Sequence, residues 1–143
     1  MNRIAPTELR LERTYAADPA RVWTAWTTEA GLAGWWWTHW DDVSYAVDAR
    51  VGGGYRIVAA GAGIGVEGEF VEVDEPRRLA FTWVWLEDGA PGPVERVEVD
   101  LAPADGGGTR LVLRHTGPWT TGEEAENYRL GWDGVLDALA RLG

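Results

Sequence analysis

Few side chains in this 143-residue sequence have the chemistry of a catalytic group. Cysteine and lysine are absent and Ser44 is the single serine, which excludes thiolate and Schiff-base nucleophiles and leaves few others. The two histidines, His39 and His115, are far apart, and neither sits in a His-x-x-x-His or His-Glu pattern. No metal site and no cofactor is expected from them. His115 ends an alternating apolar run, Leu111, Leu113, His115. There it is either a polar group that orients a ligand or acts as a general base, or a core histidine satisfied by a neighbouring backbone group or carboxylate. Glu95 shares parity with Val97 and Val99 and would put a carboxylate at the rim of the same space. These two residues are the weak candidates for acid-base work, and no catalytic residue is assigned. Glu67, Glu69, Glu72 and Asp74 read more simply as the solvated face of a sheet, with Arg56, Arg77 or Arg78 opposite, than as paired catalytic carboxylates.

Ten tryptophans against two phenylalanines are the other source of chemistry. A buried indole N–H needs a partner, so core filling alone would favour leucine and phenylalanine. In Leu79 to Leu86 the odd positions read Leu79, Phe81, Trp83, Trp85, and this face is assigned to the concave side of a sheet. Val97, Val99 and Leu101 on the next run, and Leu111, Leu113 and His115 on the last, follow the same alternation. The expected ligand-binding set is therefore Phe81, Trp83, Trp85, Val97, Val99, Leu113 and His115 from strands, with Tyr128 and Trp132 from a helix. Trp36, Trp37 and Trp40 are expected near the mouth. A solid aromatic core with some tryptophans exposed is the competing reading. The glycine runs at 52–54 and 61–65 are turns, since neither opens a helix as a phosphate-binding loop would.

The elements that must position these residues are legible from periodicity. Tyr128, Trp132, Val135, Leu136, Leu139 and Leu142 recur at steps of three and four, which predicts a helix over 123–142. Thr121 and Glu124 form its capping box, and Arg141 and Gly143 close it. Before it, period-two runs predict strands at 8–15, 43–48, 55–60, 66–73, 79–86, 94–101 and 109–116. Short connections make these strands antiparallel neighbours. Asp18-Pro19 starts one helix after the first strand, and Thr28 caps a second over 29–36. The fold class is α+β: a curved seven-stranded antiparallel sheet around a long C-terminal helix, in one domain spanning residues 1–143.

Composition narrows the function. A formal charge of -10 argues against a phosphate-tracking surface, so no nucleic-acid partner is expected. No run approaches the roughly 18 apolar residues of a membrane span, and the N-terminal stretch has no apolar leader segment. The expectation is a cytoplasmic protein without membrane contact whose partner is a small hydrophobic molecule. A homodimer is left open.

The element order resembles the helix-grip fold of the START and birch-pollen-allergen-like (SRPBCC) superfamily. The motifs that carry the resemblance are Asp18-Pro19-Ala20-Arg21-Val22-Trp23, the stretch 48–56, Gly68-Glu69-Phe70-Val71-Glu72-Val73, the stretch 76–83, the stretch 108–115, and Gly131-Trp132. They are most similar to the branch named for activator of heat-shock protein 90 ATPase homologues, which overlaps with polyketide-cyclase-like proteins. The resemblance implies an internal cavity between sheet and helix. It also implies three roles: binding a hydrophobic, aromatic or polycyclic ligand for sequestration, sensing or self-resistance; polyketide cyclase or hydrolase chemistry in the same cavity; or chaperone interaction.

Overall fold

The computed structural model describes residues 8–119 and 122–142. Seven strands form one antiparallel sheet in the order β1-β7-β6-β5-β4-β3-β2: β1 (Glu8–Tyr15), β2 (Val43–Val47), β3 (Gly54–Ala59), β4 (Ile64–Asp74), β5 (Arg78–Glu87), β6 (Ala90–Pro103) and β7 (Thr109–Thr116). Consecutive strands from β2 onward pair as neighbours, and β1 adds to the far edge by pairing with β7 from Glu8↔Thr116 to Tyr15↔Thr109. Between β1 and β2 lie two short helices, α1 (Pro19–Thr27) and α2 (Glu29–Ala33). The long helix α3 (Gly122–Leu139) ends the fold, followed by a short 3-10 turn.

Local chemistry sets these boundaries. Asp18 accepts a hydrogen bond from Arg21 N at 2.8 Å, and Thr28 accepts from Gly31 N at 2.9 Å, so both short helices begin on capped amides. α2 stops at Ala33 rather than continuing to Trp36. The Trp35 indole reaches back to donate to Ala25 O at 2.9 Å, and Trp37 takes a left-handed backbone with φ 52, which an α-helix cannot contain. The connection left between the strands expected at 79–86 and 94–101 contracts to Asp88-Gly89, both with positive φ (50 and 82), the signature of a tight two-residue hairpin. Residues 90–93 therefore join β6, with a register shift between Val84 and Leu86. A second shift, between Phe70 and Glu72, lets Glu67 and Glu69 share a face with Glu72 and Asp74 despite their opposite parity. On that face Arg56 pairs with Glu67 at 3.2 Å, Arg78 with Glu72 at 2.9 Å and Arg77 with Asp74 at 3.0 Å.

The concave face carries the core. Leu79, Phe81 and Trp83 on β5, Val97 and Val99 on β6, and Leu111, Leu113 and His115 on β7 are all buried. They pack against Trp132, Val135, Leu136 and Leu139 of α3 and against Val22, Trp23 and Trp26 of α1. α3, about 27 Å long at 1.5 Å per residue, is tied to β1 near its C-terminal end. Tyr15 Oη donates to Leu136 O at 2.9 Å, and Arg13 forms ion pairs with Asp133 and, at 3.6 Å, Asp137. Thr121 of the expected capping box, the Leu142 side chain and Gly143 lie outside what the structure describes. Glu123 and Glu124 occupy the first turn, where negative charge suits the positive end of the helix dipole. No described helix is long and apolar enough to cross a membrane.

Candidate functional site

Aromatic packing fills much of the space between sheet and α3. Trp132 lies 5.2 Å from Trp83, 5.3 Å from Trp36 and 6.1 Å from Trp26, ring centre to ring centre. Beside this packed centre is a cavity of about 450 Å³, bounded by the β5–β6 hairpin, the α2–β2 connection and the face of α3 from Glu124 to Val135. Its volume falls in the ~300–1,000 Å³ range of small-molecule sites. Six aromatic rings wall it: Trp36, Trp37, Trp83, Trp85, Tyr128 and Trp132. Gly92, Pro93, Glu124 and Asn127 form an exposed rim, and Glu95 lies inside at 7% exposure.

The hairpin is what brings Trp85 and Pro93 to the cavity. Because the turn is only two residues long, β6 runs on past the end of its pairing with β7 at Arg96↔Thr116, and residues 90–95 form one wall together with the end of β5. Trp85 is fixed there by donating to Glu87 Oε1 at 2.9 Å. Trp37 stands across it at 87° with centres 5.9 Å apart, and Tyr128 stands at 85°.

At the inner end, four side chains form a hydrogen-bond chain. Trp132 Nε1–H donates to His115 Nδ1 at 3.0 Å, and His115 Nε2 lies 2.7 Å from Glu95 Oε1. Trp119 Nε1–H donates to Glu95 Oε2 at 3.0 Å. An indole nitrogen can only donate, so His115 Nδ1 must accept, and the ring's single proton is on Nε2, directed at Glu95. Burial holds the His115 pKa below its usual value, with Glu95 pulling the other way, so the ring is neutral at pH 7. Both nitrogens are thus engaged and the side chain is fully buried, which makes His115 the positioning residue for Glu95. Tyr128, 4.4 Å from the imidazole, has its pKa pushed up by burial first and by the Glu95 charge second.

The twelve residues expected at the site therefore separate in space. Trp36, Trp37, Trp83, Trp85, Tyr128 and Trp132 line the cavity, as does Glu95. Trp40 packs behind Trp37 at 5.6 Å and lies against His39 at 4.1 Å with the rings tilted by 42°. Phe81 faces a separate void of about 20 Å³ with Tyr55 and Phe70, too small for a ligand. Val97, Val99, Leu113 and His115 are packed in the core behind the cavity wall. Pro93, Asn127 and Trp119 were not expected at the site from the sequence, and Glu124 was expected only as part of a capping box. For Trp119 the one local signal is Gly117: a Cβ there would stand 2.4 Å from Trp119 Nε1 and 3.0 Å from Glu95 Cδ, so only glycine lets the indole fold back. Among the described residues no group of three or more His, Asp or Glu side chains could hold a metal ion.

A curved antiparallel sheet gripping a C-terminal helix, with a cavity between them, defines a helix-grip protein of the SRPBCC type. The chain belongs to the family described as Activator of Hsp90 ATPase homolog 1-like protein, whose model matches residues 16–143. No curated protein matches it. Among solved structures it is similar to DynU16, a putative protein in the dynemicin biosynthetic locus (24% identity, TM-score 0.80), covering 95% of this chain and 46% of that one. It thus spans less than half of the DynU16 chain. Protein CV1439 from Chromobacterium violaceum is 27% identical over 96% of this chain and 97% of its own, with TM-score 0.76. PFC0360w, an HSP90 activator from Plasmodium falciparum, shares the fold at 19% identity and TM-score 0.73, with 96% of each chain covered.

Proposed function

We propose that the protein binds a small aromatic or polycyclic molecule in the cavity between the β5–β6 hairpin and α3. The observation that carries this reading is a void of about 450 Å³ walled by six aromatic rings with one mostly buried carboxylate, Glu95. Planar rings offer a planar ligand about 0.5–1.5 kcal/mol per favourable contact beyond area burial. Binding needs no cofactor and no proton transfer, and His115, with both nitrogens committed, serves to hold Glu95 in place. We assign the lining set as Trp36, Trp37, Trp83, Trp85, Tyr128 and Trp132. Titration of intrinsic tryptophan fluorescence with naphthalene-, anthracene- and tetracene-sized probes tests it. Saturable quenching that disappears in Trp85→Ala is the expected result. A flat response of the wild-type protein to the whole series would remove the reading.

A further inference from the structure

Among the described residues the cavity lining holds two carboxylates, Glu95 inside and Glu124 at the rim, and no arginine or histidine side chain. Glu95 accepts from His115 and Trp119 through neutral N–H groups, because His115 Nδ1 is occupied by the Trp132 indole, and the Tyr128 hydroxyl beside the carboxylate is a further neutral donor. No described arginine pairs with Glu95, whereas arginines on the outer face of the sheet pair with their neighbouring carboxylates. Around it the rings form a box: Trp83 and Trp85 lie within 17° of parallel, while Trp37 and Tyr128 stand nearly perpendicular to Trp85. Aromatic π-faces attract cations, most strongly where water is excluded, and a carboxylate met by neutral donors alone has no positive charge beside it.

Resting on the ligand-binding reading above, we propose that the occupant is an organic cation, an aromatic or hydrophobic molecule bearing an ammonium group. The ammonium sits among the Trp37, Trp85 and Tyr128 rings against Glu95, and the apolar body extends toward Trp83 and Trp36. A neutral ligand would cover Glu95 without supplying a positive charge, which costs free energy. An anion would be opposed by Glu95. Glu123 and Glu124 also offset the positive end of α3, which would otherwise disfavour a cation nearby. The formal charge of -10 on the whole chain raises the local concentration of cations.

The experiment uses three probes of nearly one shape on the full chain, followed by tryptophan fluorescence and calorimetry: (2-naphthylmethyl)trimethylammonium, its neutral carbon isostere, and 2-naphthylacetate. The cation is expected to bind about tenfold more tightly than the neutral isostere. Its affinity falls as salt is added while that of the isostere does not, and the anion binds weakest. In Glu95→Gln the preference for the cation collapses toward parity. Equal or tighter binding of the neutral probe to the wild-type protein overturns the charge assignment and leaves the cavity reading standing. Binding of none of the three overturns both. The wild-type comparison decides the matter even if Glu95→Gln fails to fold.

Discussion

The hydrogen bond from Trp132 to His115 makes a prediction that depends on the placement of one proton. Trp132→Phe keeps a ring at the position but removes the N–H that occupies His115 Nδ1. In the wild type, protonating that nitrogen means breaking a buried hydrogen bond worth about 1 kcal/mol and forcing two N–H groups together. Its loss therefore raises the His115 pKa toward its ordinary value. The linkage sign follows. A histidine depressed in the folded state contributes stability fully present above its unfolded pKa of ~6.5, and this contribution is lost as pH falls toward the folded value, at up to about 1.4 kcal/mol per pH unit. The variant narrows that window, so stability falls less steeply below pH 6.5, although its absolute stability at pH 8 is lower by about 1–3 kcal/mol for the unpaired acceptor and the smaller ring. Long-range ¹H–¹⁵N spectra of the imidazoles read tautomer and titration directly, with exposed His39 as the comparison signal, and urea unfolding at pH 8 and pH 5.5 reads the linkage. A wild-type His115 carrying its proton on Nδ1, or titrating at or above 6.5, would refute the chain of hydrogen bonds. So would an unchanged His115 titration in the variant.

Other substitutions separate the parts of the site. Trp37→Gly relieves a left-handed backbone that costs a bulky residue about 1–3 kcal/mol; its urea midpoint is expected to stay within experimental error of wild type or rise, while aromatic-probe affinity drops about tenfold. Gly117→Ala drives a methyl group into Trp119 and Glu95, so the Trp119–Glu95 bond opens, seen as loss of the downfield indole N–H resonance of Trp119. Tyr15→Phe removes one of the ties between β1 and α3, leaving the Arg13 ion pairs, and is expected to cost about 1–2 kcal/mol in denaturant unfolding, with greater amide exchange around Leu136.

What could be read beforehand follows from how regular each element is. The period-two runs of β5, β6 and β7 and the three-four stripe of α3 each repeat a single geometry, so Trp83, Val97, His115 and Trp132 emerged on the concave side by parity alone. Where a single residue breaks the period, the pattern misleads. Trp35 and Trp36 look like a helical continuation, yet the left-handed Trp37 and the reach of the Trp35 indole to Ala25 end α2 early. Pro91 and Pro93 look like loop residues, yet the Asp88-Gly89 pair closes a two-residue turn and places both prolines in β6. That extension of β6 carries Pro93 to the cavity. Trp119 is beyond reach of any periodicity argument, because it arrives from a non-repetitive segment and finds its partner 24 residues away.

A solid aromatic core and a ligand cavity were alternatives in the sequence, and in the structure the same indoles serve both. Trp36, Trp83 and Trp132 are nearly fully buried and also form the cavity wall, so truncating any of them removes core packing worth about 3–5 kcal/mol together with a binding surface. Their loss cannot distinguish a binding role from a structural one. Trp37 and Trp85 are only partly buried and face the cavity from its solvent side, so at these two positions binding and stability come apart. Conversely, a ligand that adds contacts to the shared rings stabilises the fold by RT ln(1 + [L]/Kd), about 2.7 kcal/mol at a hundredfold excess over Kd. That increment should appear in the wild type and be diminished in Trp37→Ala and Trp85→Ala, whose unliganded stabilities change far less than that of Trp132→Ala. If the unliganded losses were as large at the two outer tryptophans as at the inner one, the rim would be part of the core and the cavity a packing remnant.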